Sequence, residues 1–370
     1  MSPHLRAHRV ALRTPCPTRR SGRGFAARRK PPAPTADGPR RGRLGLGSLL
    51  FAGALLCACS APPPPEELEP LAPPDPSVGF QLKTTPAAIP SGTENQDCYF
   101  FRVPAQSDVY VRRILMRQST GTHHMNIFRV RTIVGLSGED GQVVKGGNDL
   151  QNPCWVSSNW ADWPLVANTQ SSEPGKYTTD FTLPEGVAHK FAPGELLMLQ
   201  SHYVNATTQT TPQDAMVWAN FEYVPAAQVT AELGTLFATN QNLRICPGES
   251  KFFEKVCRVP SPVTVIGANG HFHSRGTRFL MNVWDEQNGK GAQFYESESW
   301  DDPPMALGLD IKIPQNAGVQ YRCEYKVAPE VCGNPADGCC FTFGPRVEVN
   351  EHCNAFVYYY PKLGTDLPCF

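Results

Sequence analysis

Two features are missing from this 370-residue sequence: a hydrophobic run long enough to span a membrane, and a clear helical periodicity in its longer, C-terminal part. The uncharged apolar run from Leu44 to Ala58 is shorter than the roughly 20 residues that a membrane-spanning helix requires. Long amphipathic helices need apolar residues at a 3.6-residue period, and that pattern is hard to find here. We therefore expect neither a membrane-spanning helix in this run nor a helical fold.

Positive charge is scarce beyond the first 43 residues. Of the 34 basic residues, twelve lie in residues 1–43, where Asp37 is the single acidic residue. From residue 59 onward the chain therefore carries 22 basic and 33 acidic residues, a net charge of −11. Such an acidic chain repels phosphate backbones, so the composition argues against nucleic-acid binding.

The basic N-terminus and the apolar run after it have the layout of an export signal. The segment Leu56-Cys57-Ala58-Cys59 is similar to a bacterial lipobox, which predicts that Cys59 is lipidated and becomes the first residue of the mature protein. An ordinary secretory signal cleaved near Ala58 is the alternative. The expected location is the bacterial cell envelope, with membrane contact through the lipid anchor only, or the exterior.

The residues after Cys59 are rich in Pro and Glu, a composition that favours a semi-rigid tether. We predict a signal or leader over 1–58, a tether over 59–80, and folded structure from there. The remainder is long enough for two domains of ordinary size. A boundary near Pro225 divides it into domains at 81–225 and 226–370.

Ten cysteines lie from Cys98 onward, an even number that predicts up to five disulfides in an exported protein. A zinc site made of Cys332, Cys339, Cys340 and Cys353 is the alternative. The adjacency of Cys339 and Cys340 departs from the usual spacing of zinc ligands, so disulfides are favoured.

Short runs of β-branched and aromatic residues recur between Gly, Pro, Asn and Asp residues. This pattern is typical of an all-β fold, an antiparallel sandwich or barrel. The strands it predicts are Tyr110–Met116, Asn126–Val130, Leu196–Tyr203, Met216–Tyr223, Phe279–Val283, Val319–Tyr325 and Ala355–Tyr360.

Six of the nine histidines fall into four short clusters in strand-like settings. Neutral imidazole is a ligand for copper, zinc, iron and nickel. A pair and a single histidine in each predicted domain indicate two three-histidine metal sites. The clusters are His123 and His124 in GTHHMNIF, His202 in LMLQSHYVN, His271 and His273 in NGHFHSRG, and His352 in NEHCNAFVYYYP.

The two histidine pairs differ in their local geometry. His271 and His273 are two residues apart, so a strand directs both to one face, with Phe272 directed into the core. His123 and His124 are adjacent and can share an ion if the strand bulges there. For His202 a buried core histidine is the alternative, and His189 is interpreted as a surface turn residue.

Taken in order, these four motifs resemble the copper type II, ascorbate-dependent monooxygenases. That family includes peptidylglycine α-hydroxylating monooxygenase and dopamine β-monooxygenase. The resemblance runs from about Cys98 to the C-terminus, and four motifs in the same order are more specific than any one of them. It implies two tandem antiparallel jelly-roll-like β-sandwich domains that face each other across a solvent-filled cleft.

The same resemblance implies two copper ions and a function. The first copper, on His123, His124 and His202, would take electrons from ascorbate or a similar reductant. The second, on His271, His273 and a third ligand, would bind O₂ and hydroxylate an aliphatic C–H bond of a small organic substrate. The resemblance also assigns catalytic positions to Gln200, in the cleft, and Asn354, at the substrate, and implies the disulfides Cys323–Cys353, Cys98–Cys154 and Cys257–Cys369.

The sequence departs from the family at three positions. His352 stands where the family has a methionine ligand, which argues for a retained copper site with altered reactivity. Asn269 and Phe356 replace an arginine and a tyrosine that hold the substrate carboxylate in the peptide hydroxylases, so a peptide substrate is disfavoured. A non-catalytic copper-binding lipoprotein is one alternative function. A carbohydrate- or protein-binding module with structural zinc is another, and the sequence does not indicate an oligomeric state.

Overall fold

The computed structural model describes residues 69–119, 122–146, 163–169, 177–205, 213–300, 303–344, 347–364 and 367–369. These residues form β-strands and turns, and their two short 3-10 helices span Ala226–Gln228 and Pro335–Asp337. The prediction of an all-β fold is confirmed. In this part of the chain no helix has the length and apolar character needed to cross a bilayer.

The first thirteen described strands form three sheets. A six-stranded sheet has the order β1-β12-β4-β9-β13, with β8 also paired to β4; a five-stranded sheet has the order β6-β3-β10-β5-β7; and β11 pairs with β2. Apart from the parallel pair β9–β13, the pairings are antiparallel. The strands are β1 Gly79–Lys83, β2 Ala87–Ile89, β3 Thr93–Arg102, β4 Val109–Gln118, β5 Thr122–Arg129, β6 Val143–Val144, β7 Leu165–Thr169, β8 Thr178–Thr182, β9 Val187–Phe191, β10 Leu196–Asn205, β11 Gln213–Ala215, β12 Val217–Tyr223 and β13 Ala231–Glu232.

The remaining twelve described strands form three more sheets. Their orders are β20-β17-β24-β14-β25, β16-β21-β18-β19 and β15-β22-β23. The strands are β14 Gly234–Thr239, β15 Arg244–Ile245, β16 Ser250–Arg258, β17 Val263–His271, β18 Gly276–Asp285, β19 Gly289–Ser297, β20 Ala306–Ile313, β21 Gly318–Lys326, β22 Phe341–Phe343, β23 Asn350–Glu351, β24 Asn354–Tyr360 and β25 Leu367–Cys369. Each of the seven strands predicted from the sequence lies within or overlaps an observed strand.

Each group of sheets encloses a hydrophobic core, so two β-sandwiches follow each other along the chain. The first core combines side chains from both large sheets, such as Phe221 on β12 and Phe100 on β3. The second combines Val357 on β24 with Tyr321 on β21 and Phe279 on β18. The first group of strands ends with β13 at Glu232, and the second begins with β14 at Gly234. The domain boundary at 225/226 stays a prediction.

The sheet that contains β24 contributes to both cores. Along this strand Val357 and Tyr359 pack into the second core, whereas Phe356 and Tyr358 pack into the first. Side chains of a strand alternate between two faces, so both faces of this sheet are covered by protein. This arrangement explains why β24 is apolar along most of its length.

A buried chain of hydrogen bonds joins the sandwiches beside this shared sheet. The hydroxyl of Tyr358 donates to Asn168 Oδ1 (2.6 Å), and Asn168 Nδ2 donates to Asn269 Oδ1 (3.2 Å). Asn269 Nδ2 donates in turn to the carbonyl of Pro304 (3.1 Å). Asn269, predicted at a substrate position, is therefore a fully buried structural residue.

The end of the predicted tether lies along the first sheet. Gln81 Nε2 donates to the carbonyl of Leu71 (2.7 Å), and Asn220 Nδ2 donates to the carbonyl of Ala72 (2.7 Å). The ordered contacts thus begin before β1. Cys59 and the predicted export signal lie outside the described residues.

Four disulfides are present among the described residues. Two were implied by the resemblance, Cys323–Cys353 and Cys257–Cys369. The others are Cys246–Cys340 and Cys332–Cys339, so the adjacent cysteines have different partners and the alternative zinc site is excluded. Cys98 is also disulfide-bonded, and its predicted partner Cys154 lies outside the described residues. Several disulfides indicate an exported protein.

Candidate metal centre

The first histidine triad is built on the neighbouring strands β5 and β10. His202 on β10 lies opposite His124 on β5, but the next residue, Tyr203, lies opposite Thr122. His123 is therefore the additional residue of a β-bulge, which turns its side chain towards its neighbours. The bulge that an adjacent histidine pair requires is present.

The three rings of this triad converge. Their centroids are 5.3 Å apart for His123 and His124, 5.2 Å for His123 and His202, and 4.7 Å for His124 and His202. The Nδ1 atoms of His124 and His202 approach to 3.4 Å. One candidate ligand nitrogen from each residue lies within 4.8 Å of the others. Nitrogen ligands bind an ion at about 2 Å, so small side-chain adjustments bring all three onto one ion.

The second triad forms where β17 and β24 meet. His271 ends β17 opposite Asn354 on β24, His273 follows two residues later, and His352 lies in the short connection between β23 and β24. The ring centroids are 5.3 Å apart for His271 and His273, 5.3 Å for His271 and His352, and 4.4 Å for His273 and His352. Phe272 is buried in the second core, as its alternation predicted. These three residues also offer nitrogens within 4.8 Å of one another.

Hydrogen bonds orient the second triad for metal binding. His273 Nδ1 lies 3.0 Å from the carbonyl oxygen of Asn350, which is an acceptor only, so this nitrogen carries the proton. The Nε2 atom of His273 then presents its lone pair, as in many histidine metal sites. Nδ1 of His352 is buried without a hydrogen-bond partner, an unsatisfied atom that a metal ion would satisfy.

Burial keeps most of these imidazoles neutral. Loss of solvent lowers the pKa of His124, His202, His271 and His352 well below the ordinary value, and the neighbouring histidines lower it further. A neutral ring has a free lone pair, whereas a protonated ring cannot bind a metal. Both triads therefore have ligand sets suited to an ion at neutral pH.

A buried carboxylate, Glu351, supports the second triad from behind. Its Oε2 accepts the backbone N–H of His273 and its Oε1 accepts that of Arg275, both at 2.9 Å. A backbone hydrogen bond from His352 to this carboxylate acts to lower its pKa. The sequence does not indicate this role, because a glutamate beside a histidine has no distinctive spacing.

Replacing Glu351 is expected to weaken the second site. In Glu351→Leu the buried N–H groups of His273 and Arg275 lose their acceptor, at a cost of about 1–3 kcal/mol each. Loss of such a supporting residue typically lowers metal affinity 10- to 100-fold. Glu351→Gln keeps one acceptor oxygen and should lie between. Copper titration and urea unfolding of both variants measure these effects, with the exposed Glu296→Gln as control. Unchanged affinity in Glu351→Leu would show that the carboxylate has no role in the site.

Acidification is expected to destabilise the metal-free protein. The pKa of the four triad histidines above and of buried His189 is lower in the folded state, so the unfolded chain binds protons first. The contribution of these histidines to the free energy of unfolding is fully present above about pH 6.5. It is lost as the pH falls below that value, by up to about 1.4 kcal/mol per pH unit for each histidine.

Glu351 acts in the opposite direction. Burial raises its pKa to about 7, so it favours the folded state as the pH falls through 7 towards its ordinary value. One carboxyl group opposes five histidines, and the net effect is destabilising. Urea midpoints at pH 7.5, 6.5 and 5.5 measure it; a midpoint that stays level or rises on acidification would contradict the expectation.

The two triads line the same cavity. The ring centroids of His124 in the first triad and His271 in the second are 6.0 Å apart. Gln200 and Asn354 also line this cavity, with Asn126, whose Nδ2 donates to Gln200 Oε1 (2.8 Å). At this point the two triads therefore face a common cavity. Asn126 lies two residues after His124 on β5, and the period of two along a strand places both side chains on one face.

Two other expectations are corrected. His189, interpreted as a surface turn residue, lies on β9 and is buried between the rings of Phe181 and Phe191. Trp300, which the sequence did not indicate, lies 6.0 Å from His123 between ring centroids and lines the cavity. Phe356 lines it as well, while the rest of its surroundings belong to the first core.

Comparison with known proteins leaves the family open. No family model matches the chain, and no curated protein matches it. Among solved structures it is similar to the major capsid protein P2 of bacteriophage PM2 (TM-score 0.29, 8% identity, 76% of this chain and 97% of that chain). It is also similar to PBCV-1 VP54 fitted into a reconstruction of the virophage Sputnik (TM-score 0.25, 8% identity, 76% and 93%). Such scores are too low to support any inference about function.

These findings correct the assignment to the copper type II monooxygenases. Neither a family model nor a curated relative supports it. The four motifs are short, and without a match over the whole chain they do not establish descent. The predicted hydroxylation, and the catalytic roles assigned to Gln200 and Asn354 through it, are therefore not retained.

Proposed function

We propose that this chain is an exported copper-binding protein that holds one ion in each histidine triad. One observation carries the proposal: six of the seven histidines among the described residues converge in two groups of three. Packing alone does not require the side chains of three histidines to converge. Lipidation at Cys59 is part of the proposal and would keep the metal sites at the membrane surface.

Copper is the metal favoured by the donor set. Each triad offers three imidazoles and no carboxylate ligand, and sites of this kind bind Cu(II) more tightly than other divalent first-row ions. The disulfide-bonded cysteines are not available as competing thiolate ligands. When bound, copper would supply a one-electron redox couple in each triad. Zinc, which also accepts three imidazoles, is the competing metal.

The copper content of the purified, exported full-length chain tests the proposal. Two ions per chain are expected for the wild type, falling to one in His202→Ala and to one in His352→Ala. His189→Leu is the matched control, because this buried histidine lies outside both triads and should leave the content at two. Two zinc ions bound in preference to copper would change the metal assignment. A chain that binds neither metal at the triads would overturn the proposal.

A further inference from the structure

With a metal ion bound to each triad, the cavity between the triads would contain positive charge that its lining does not neutralise. Its lining consists of the six histidines together with amide, aromatic and aliphatic side chains, and no Asp, Glu, Lys or Arg lines it among the described residues. Two divalent ions would introduce four positive charges; Glu351, behind the second triad, offsets at most one of them, and the lining side chains offset none. Burying uncompensated charge costs several kcal/mol per ion, so an anion from solution is favoured.

The cavity also offers an unsatisfied hydrogen-bond donor. Gln200 is 2% exposed, and its Oε1 accepts from Asn126, but its Nε2 has no hydrogen-bond partner. A buried donor without an acceptor costs about 1–3 kcal/mol. Gln200 lies on β10 two residues before His202, so both side chains point to the same face of the sheet. An acceptor held beside the first triad would satisfy this donor.

The triads lie close enough for a single ligand to bind the ions of both. His124 and His271 approach to 6.0 Å between ring centroids, so the ions would face a common space. We propose that the two triads act as one dinuclear centre that takes up a single small anion, bound to both ions and hydrogen-bonded by Gln200. This inference rests on the proposed copper binding and adds to it the class of ligand that the loaded site recognises.

Azide binding to the Cu(II)-loaded, full-length chain tests the inference. Titration followed by the azide-to-copper absorption band should saturate at one azide per two bound copper ions. The integrated EPR intensity should fall well below two spins per chain once azide has bound, because a shared ligand couples the two spins. Two azides per chain, or a full two-spin signal that azide leaves unchanged, would show independent sites and overturn the inference.

A variant separates the role of Gln200 from that of the ions. Gln200→Leu removes the donor with little change in volume and should weaken azide binding about tenfold, while two copper ions remain bound. The exposed Gln293→Leu is the control and should bind azide as the wild type does. If Gln200→Leu does not fold, the azide stoichiometry and the spin count of the wild type still test whether one anion binds both ions. A wild-type chain without copper would instead overturn the proposed function.

Discussion

Copper at a thousandfold excess over its dissociation constant is expected to raise the free energy of unfolding by about 4 kcal/mol for each triad. The reason is that the ligands of each triad come from separate strands, so the unfolded chain has no preformed site. His124 and His202 lie on β5 and β10, which meet only through folding. In the second triad, His271 and His352 are brought together by the pairing of β17 with β24.

Urea unfolding with and without Cu(II) measures this gain. The double variant His202→Ala/His352→Ala is the control and should gain little, because each triad has lost a ligand. Each single variant should gain about half of the wild-type increase if the sites contribute separately. An equal gain in wild type and double variant would indicate copper binding elsewhere, and no gain in either would contradict the metal centre.

Removing the disulfide Cys323–Cys353 is expected to destabilise the fold and to release copper from the second triad alone. The two cysteines are 30 residues apart, and the chain-entropy relation gives a loss of about 4 kcal/mol on their replacement by alanine. Cys353 lies between His352 and Asn354, and the hydroxyl of Tyr325, on the strand that carries Cys323, donates to the carbonyl of His352. The bridge therefore holds the backbone that positions His352.

A second disulfide provides a matched control. Cys332–Cys339 closes a loop with a separation of seven residues, so its replacement by alanine should cost only about 2 kcal/mol. Neither of its cysteines adjoins a triad histidine in the sequence, and both copper ions should remain. The comparison uses copper content and urea midpoint in Cys323→Ala/Cys353→Ala and in Cys332→Ala/Cys339→Ala. Retention of two copper ions in both variants would show that the bridge does not position the second triad.

The strands could be predicted because their signal is local. Short β-forming runs at β4, β10 and β24, with turn residues between the strands, indicated an all-β fold before any contact was known. The i, i+2 spacing of His271 and His273 predicted their common face and the burial of Phe272. The even number of cysteines and the export signal predicted disulfides, and four are present among the described residues.

Other features depend on contacts between segments that are distant in the chain, so the neighbouring sequence contains no pattern that predicts them. The burial of His189 and Asn269 arises because elements far apart in the chain cover them. Glu351 is recognisable as a support only when the backbone N–H groups of His273 and Arg275 are seen to point at it. A polar residue in a strand looks the same in the sequence whether it faces water or a buried partner.

By itself, the sequence predicted the fold class and the export context from composition and β-forming runs, and the membership of the two triads from the order of the histidine clusters. The tertiary structure decided how close the triads lie. The sheet containing β24 packs against both cores, and the ring centroids of His124 and His271 lie 6.0 Å apart. Packing of one sheet against two cores is a property of the whole chain, so no motif within it predicts a shared metal cavity.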